Sequence, residues 1–270
     1  MSLSAWLLTI PQWLSVLLVL GLFVSCGIGL VLLVRRLAPG FVLRPQNDTA
    51  GFVFGALGSI YGILLAFVVI NVWVQNNTAS EIVEQESTDA LALYRNLNAY
   101  PNRAEADKVL VALRGFTLSV VNEEFPAMRA VKWDSKTQAS VSTQKAVDLL
   151  WNEIRRIAPR NLQEQSLFNE ILMNVNSLAQ LRVKRLLQAR TGLNGSLWCM
   201  VVLGGLITVG FTALFEYESV RVHIAHTIIL SLMTGGVIYV IVSLNFPFVG
   251  DTGIRPEDYA YLMKVAGWQG

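Results

Sequence analysis

Charged residues are absent from four long stretches of the chain, and these stretches decide the fold class. Residues 1–34, 49–80 and 191–215 contain no Asp, Glu, Lys or Arg, and 222–250 contain only two histidines. A helix needs about 20 apolar residues to cross a bilayer core of roughly 30 Å, and helices satisfy their own backbone hydrogen bonds there. We therefore predict four membrane spans, at about 12–34, 52–75, 195–216 and 224–246.

The region between the second and third spans carries apolar residues at helical spacing among ordinary polar ones. Four helices are predicted there: 78–99 as a continuation of the second span, one capped by Asn102 and ended by Phe125-Pro126, and two over about 138–158 and 161–190. A loop is predicted at 127–137. Helices of this length suit an antiparallel bundle.

These elements predict an all-α membrane protein with four transmembrane helices and a helical-bundle soluble domain inserted between spans 2 and 3. The predicted divisions are a transmembrane hairpin (1–75), a soluble helical bundle (76–190), a second transmembrane hairpin (191–246) and a C-terminal tail (247–270).

Composition and charge exclude several classes of function. Only 15% of the residues are charged, against roughly 25% in an average soluble protein, and the net charge of +2 gives no electrostatic case for nucleic acid. Cys26 and Cys199 both lie in predicted spans, so we expect no structural disulfide. The chain has no nucleophile–base pattern, HExxH, CxxC or Gly-rich phosphate loop, and no acid in a span. We expect neither an enzyme, nor a cofactor, nor a proton-driven carrier.

The second span has a face of small residues. Gly58, Gly62 and Ala66 recur every four residues, with Gly55 and Ser59 beside them. Such a face lets another helix approach closely. The partner could be a helix of the same chain, or a second subunit.

A different face of the same span grades from apolar to polar. Ile63, Phe67, Asn71 and Gln75 also recur every four residues, and Thr78 follows at the membrane edge. Phe67 is about 140° around the helix from Gly62. Around a symmetry axis, this face would form an apolar constriction that opens into a ring of amides, and such constrictions can gate by dewetting. Alternatively, Asn71 bonds a neighbouring helix and the later amides meet lipid headgroups.

Three further sets of residues have two interpretations each. Glycines of the third and fourth spans could let the second hairpin pack tightly or could form a hinge; they are Gly204, Gly205, Gly235 and Gly236. His223 and His226, spaced i, i+3, form a weak metal candidate near Glu216 and Glu218, or are interfacial. Asp48 could cap the second span, where the helix dipole favours an anion, or could sit at an external mouth.

Several local stretches resemble the bacterial bestrophin-like domain family of four-span membrane proteins. They are "RRLAPG" after the first span, "NDTAGF" before the second, "YGILLAFVVINVW" within it, and "GGLITVGF" and "LNFPFVGD" near the end. The family pattern has Asp-Arg before the Pro-Phe, whereas this chain has Asn245-Phe246. An activity that needs those two charges would be lost or altered here.

The resemblance implies a function. A more distant similarity to the bestrophins, which are pentameric anion channels, implies a homo-oligomer in the bacterial inner membrane that conducts inorganic ions. By the same resemblance, the helical domain and both termini are cytoplasmic. The charges give no support for this orientation, because the short loops carry four Lys or Arg against five on the other side. Arg35-Arg36 after an uncharged N-terminus would favour the reverse. The alternative function is a non-conducting interaction or sensory protein that acts through its helical domain.

Overall fold

A computed structural model describes residues 7–37, 47–130 and 138–268. The described residues form helices and no strand. The α-helices are α1 (Gln12–Leu37), α2 (Asn47–Ala99), α3 (Arg103–Ser119), α4 (Phe125–Arg129), α5 (Gln138–Ile154), α6 (Leu162–Gln188), α7 (Gly195–Phe211), α8 (Val220–Leu244) and α9 (Glu257–Val265). A π-helix (Val120–Glu124) joins α3 to α4, and a 3₁₀ turn (Thr212–Leu214) follows α7.

Four of these helices are long and apolar enough to cross a membrane. They are Gln12–Leu37, Asn47–Ala99, Gly195–Leu214 and Val220–Leu244. The prediction of an all-α membrane protein with four such helices is confirmed. The fourth span begins four residues earlier than predicted, because Ser219 takes an extended conformation and the helix starts after it.

The chain divides into two compact units. The membrane unit comprises the described residues within Ser2–Val74 and Gly192–Asn245. The bundle unit comprises those within Gln75–Thr191 and Phe246–Gly270. The C-terminal tail therefore belongs to the same unit as the region between spans 2 and 3.

The membrane unit packs around residues that recur at helical spacing. On α2 the buried stripe is Tyr61, Leu65, Val68 and Val72, and α1 contributes Val19 and Phe23. Large apolar side chains on the other faces of the spans are exposed, which suits a surface in contact with lipid. Some buried hydroxyls bond within their own helices, as where Thr208 donates to the Gly204 carbonyl at 2.7 Å. Such bonds remove the cost of an unpaired polar group in a hydrocarbon environment.

The bundle unit has its own apolar core, to which the last helix contributes. Tyr259 and Leu262 of α9 are fully buried in it. The fourth predicted helix begins at a cap: the Asn161 side chain accepts a hydrogen bond from the Glu164 amide at 2.8 Å. Asn102 stands at the N-cap of α3, but its side chain makes no capping hydrogen bond.

The prediction that Phe125-Pro126 ends a helix is wrong. The chain passes from α3 through the π-helix into α4, and the Phe125 amide bonds the Val120 carbonyl five residues back. Pro126 lies in the first turn of α4. A proline inside an α-helix clashes with the carbonyl four residues earlier, and the wider π-turn relieves that clash. The predicted loop is helical up to Arg129, and its residues 131–137 lie outside the described part.

Candidate functional site

The face of α2 that carries Ile63 and Phe67 points away from the other helices of this chain. Their side chains are 60% and 70% exposed, whereas Tyr61 and Leu65 on the opposite side are buried. Asn71 is also exposed, and Gln75 and Thr78 are half-buried further along the same helix. Asn71 and Gln75 each take part in an interaction with the chain. The apolar part of this face, Ile63 and Phe67, is therefore available to lipid or to another copy of the protein.

The small face of α2 makes no close approach within the chain. A methyl group added at Gly58 or Gly62 would meet no described atom within 4 Å, and Ala66 is exposed. Among the described residues, neither glycine therefore packs closely against another helix of the same chain. Contact with a second subunit stays a prediction.

Gly204 and Gly205 instead provide space for Tyr61. A Cβ at Gly204 would overlap the Tyr61 ring, and one at Gly205 would lie 3.0 Å from its hydroxyl. That hydroxyl donates to the Val201 carbonyl at 2.7 Å. These two glycines therefore let α7 approach the second span.

The glycines of α8 do not face those of α7. A Cβ at Gly235 would meet Leu20 and Phe23 of α1, the nearest atom at 3.3 Å, and one at Gly236 would meet nothing within 4 Å. Gly205 does approach α8, because a Cβ there would lie 3.1 Å from Ile238. That these glycines let the second hairpin pack tightly stays a prediction. The tightest glycine contact with α8 comes from Gly27 of α1, where a Cβ would lie 2.7–2.9 Å from Val209, Ser231 and Thr227. No local pattern in the sequence distinguishes Gly27 from the exposed Gly29.

The His223 side chain is engaged on both ring nitrogens. Nε2 lies 2.8 Å from the Thr212 carbonyl, to which it donates. Nδ1 lies 3.2 Å from Nη2 of Arg35, from which it accepts. Tyr217 stacks on the ring at 4.5 Å, and its hydroxyl lies 3.2 Å from Nδ1 of His226. This arrangement leaves no lone pair on His223 for a metal, and no group of three potential ligands occurs among the described residues.

Asn47, rather than Asp48, fixes the start of α2. The Asn47 side chain donates to the Glu216 carbonyl at 2.9 Å and accepts from the Glu216 amide at 3.1 Å. Asp48 lies inside the first turn, so it does not occupy the cap position. Its charge still lies at the end of the helix that favours an anion.

Asn245, which departs from the family pattern, has a structural role. It is buried, and its Oδ1 accepts from the Leu193 amide at 2.7 Å. A Cβ at Gly192 would lie 3.1 Å from its Nδ2. The amide therefore holds the segment that leads into α7 against the end of α8.

The bundle unit contains a buried ionic network that sequence reasoning missed. Arg185 of α6 binds Glu86 of α2 through two nitrogens, Nε–Oε2 at 2.5 Å and Nη2–Oε1 at 3.2 Å. Its Nη2 also donates to Glu124 Oε2 at 2.8 Å. Arg182 contacts the other oxygen of Glu124 at 2.6 Å and donates to Gln144 of α5 at 2.9 Å. Two carboxylates and two guanidinium groups thus balance in formal charge.

Burial makes this network sensitive to the loss of any member. Arg185, Glu86 and Glu124 are completely buried, and Arg182 nearly so. Burial disfavours the charged Arg185 guanidinium, but the carboxylates of Glu86 and Glu124 outweigh this and raise its pKa. Desolvation, followed by the nearby Glu86 charge, raises the pKa of Tyr259 well above its ordinary value. The network therefore holds Arg185 charged and Tyr259 neutral at physiological pH.

A signal for the network does exist in the sequence. Glu86 lies three residues after Val83 and four before Ala90, on the apolar side of its helix. Arg182 and Arg185 each lie four residues after a buried leucine, Leu178 and Leu181. A charged residue on an apolar stripe is seldom buried without a partner, so the coincidence of three such residues indicates a buried ion pair.

Comparisons with known proteins agree with this architecture. The sequence profile of the bestrophin-like domain matches residues 21–259. A crystal structure of a bacterial bestrophin homologue from Klebsiella pneumoniae that carries one substitution is 12% identical, with a TM-score of 0.69 over 92% of this chain and 98% of that chain. Another structure of a homologue from Klebsiella pneumoniae is 13% identical, with a TM-score of 0.68 over 94% and 99%. No curated protein sequence gives a significant match. At these identities the structural likeness shows a shared fold.

Proposed function

Since the chain belongs to the bestrophin-like family, we propose that it is an oligomeric membrane ion channel in which α2 lines a central pore. One observation carries this proposal. Ile63 and Phe67 are large apolar residues exposed on the helix face that continues into Asn71, Gln75 and Thr78. In a symmetric ring, the two apolar side chains form a constriction and the amides a polar ring. An uncharged amide offers both donors and acceptors, so it favours neither ion sign strongly.

The second subunit would use the other exposed surface of α2. Gly58, Gly62 and Ala66 leave room for close helix packing that this chain itself does not use. Repetition of one such contact around an axis closes a ring. The subunit number, five by analogy with bestrophins, is measurable by native mass spectrometry of the detergent-solubilised protein. A monomer would refute the proposal.

Flux measurements test conduction. The purified protein is reconstituted in liposomes, and ion flux is compared between wild type, Phe67→Ala and a control, Phe52→Ala, which changes another exposed phenylalanine of α2. We expect flux for wild type and an increase for Phe67→Ala, because the constriction widens. Absence of flux in all three proteins would sink the channel proposal.

By analogy with the family, the proposed location is the bacterial inner membrane, with the bundle unit and both termini cytoplasmic. Arg35-Arg36 after an uncharged N-terminus argues for the reverse orientation. Labelling of Lys184→Cys with a membrane-impermeant maleimide in spheroplasts, with Cys26 and Cys199 replaced by serine, distinguishes the two. Labelling of intact spheroplasts would refute the cytoplasmic placement.

The second candidate function is a non-conducting interaction protein. It is favoured by the size of the bundle unit and by the lack of a metal-binding group among the described residues. Capture of a stoichiometric partner that requires the bundle unit, together with absence of flux, would favour this function over the channel. The proposed channel has lipid and inorganic ions as its partners and needs no catalytic residue.

A further inference from the structure

The buried stripe of α2 in the bundle unit leaves the position of the helix along its axis weakly defined. Its members include Ala79, Val83, Ala90, Leu93 and Leu97, all aliphatic and spaced by three, four or seven residues. A stripe of this kind can pack into the same groove after a shift of one helical turn, about 5.4 Å, as known one-turn shifts between packed helices show.

Among the buried residues of α2, Glu86 carries a charge. Its carboxylate meets a cation at one axial position of the helix. Both of its oxygens bind Arg185. After a shift of one turn, an aliphatic side chain would face the guanidinium, and the Glu86 carboxylate would lie in the core without a cation. A single buried polar residue fixes helix register in this way in coiled coils.

The partner of Glu86 is itself held from three sides. Arg185 also contacts Glu124 of the π-helix, which Arg182 holds through its second oxygen. Arg182 in turn contacts Gln144 of α5. The Phe125 ring lies 5.1 Å from the Arg185 guanidinium carbon, at a cation–π distance. The position of the Arg185 guanidinium, which binds the Glu86 carboxylate, is therefore fixed by the other helices of the bundle unit.

We propose that Glu86 is a positioning residue, which fixes the rotation and axial register of α2 through Arg185, Glu124 and Arg182. The assignment of register rests on the contacts within the bundle unit and does not depend on the proposed function.

The test replaces the network with apolar residues of similar size. The variant carries Glu86→Met, Glu124→Met, Arg182→Met and Arg185→Met in the full-length chain. Replacement of buried ion pairs by apolar residues often preserves or raises stability, so we expect the helical content and melting temperature to be retained. Register is measured separately from stability, as the distance between spin labels at Gln85→Cys on α2 and Lys184→Cys on α6.

The distance measurement uses pulsed electron paramagnetic resonance. Cys26 and Cys199 are replaced by serine, and labelled chains are diluted in unlabelled chains, so that one chain is observed at a time. We expect one narrow distance in the wild-type network and a broadened or second distance, displaced by about 5 Å, in the apolar variant. The matched control removes the exposed Arg103–Asp107 pair by changing both residues to Met and leaves the distance narrow. One unchanged narrow distance in the folded apolar variant would overturn the proposal.

A milder variant keeps the test decisive if the apolar variant does not fold. Glu86→Gln preserves volume but replaces one acceptor with a donor that faces Arg185, and we expect a broader distance than in wild type. An unchanged distance in this variant also overturns the proposal. Flux is measured on the same proteins. A non-conducting wild type would refute the channel function and leave the assignment of register intact.

Discussion

Truncation of Arg185 alone is expected to destabilise the protein far more than removal of the whole network. Arg185→Met leaves the Glu86 and Glu124 carboxylates in the core, where Arg185 is the contact shared by both. Glu124 keeps Arg182 at 2.6 Å, but Glu86 has no other ion pair within the described residues. One completely buried carboxylate thus loses its cation.

The magnitude follows from the burial of both partners. Removal of one member of a buried ion pair costs about 3–5 kcal/mol, because the remaining charge is not compensated. No discount for solvent screening applies, because the Glu86 and Arg185 side chains are both inaccessible to solvent. Native proteins are stable by about 5–15 kcal/mol. At about 2–4 °C per kcal/mol for a chain of this size, the melting temperature should fall by roughly 6–20 °C.

The assay is thermal unfolding in detergent, followed by tryptophan fluorescence, because Trp268 packs against Tyr94 in the bundle unit. Arg156→Met is the matched control. The Arg156–Glu153 pair has an exposed guanidinium, and exposed pairs contribute about 0–1 kcal/mol. If both variants melt within a degree or two of each other, the argument that buried Arg185 compensates Glu86 is wrong.

Three further outcomes are expected. Since the pKa of Tyr259 is raised, its contribution to stability is complete below pH 10 and is lost as the pH rises toward the folded-state pKa. Tyr259→Phe should therefore flatten the fall in the free energy of unfolding between pH 10 and 11 by up to about 1.4 kcal/mol per pH unit, whereas Tyr261→Phe, at an exposed position, should not. Gly27→Ala should lower the melting temperature, because overpacking costs about 1–3 kcal/mol, and Gly29→Ala, in open space, should not. Asn245→Ala should cost about 1–3 kcal/mol in denaturant unfolding, because a loop amide loses its acceptor; an unchanged midpoint would contradict that role.

The membrane helices could be predicted because lipid imposes a simple rule on the sequence. Each span contains a long stretch without Asp, Glu, Lys or Arg, and helical hydrogen bonding is obligatory there. The end of α3 could not be predicted in the same way. Phe125-Pro126 usually ends a helix, but a local change to π geometry overrode that preference, and no residue type marks a π-turn in advance.

The candidate site was only partly predictable, for a different reason. Periodicity shows which residues share a face, as for Phe67 and Asn71, but does not show what the face meets. Gly58 and Gly204 look alike in the sequence, yet one lies in open space and the other receives the Tyr61 ring. The partners of Glu86 are separated from it by many residues, and pairing across such a distance follows from the fold rather than from local spacing.

The burial of α9 in the bundle unit has a consequence for biosynthesis. Tyr259 and Leu262 complete a core whose other members begin at Ala79, yet they are translated about 70 residues after Thr191, behind both of the last spans. At about 5–20 residues per second, this is a delay on the order of 10 s. During that interval the nascent bundle lacks part of its core, so it exposes apolar surface to chaperones and proteases. A stop codon before Tyr259 would leave the bundle core without these residues in the finished chain, although every membrane span would be present.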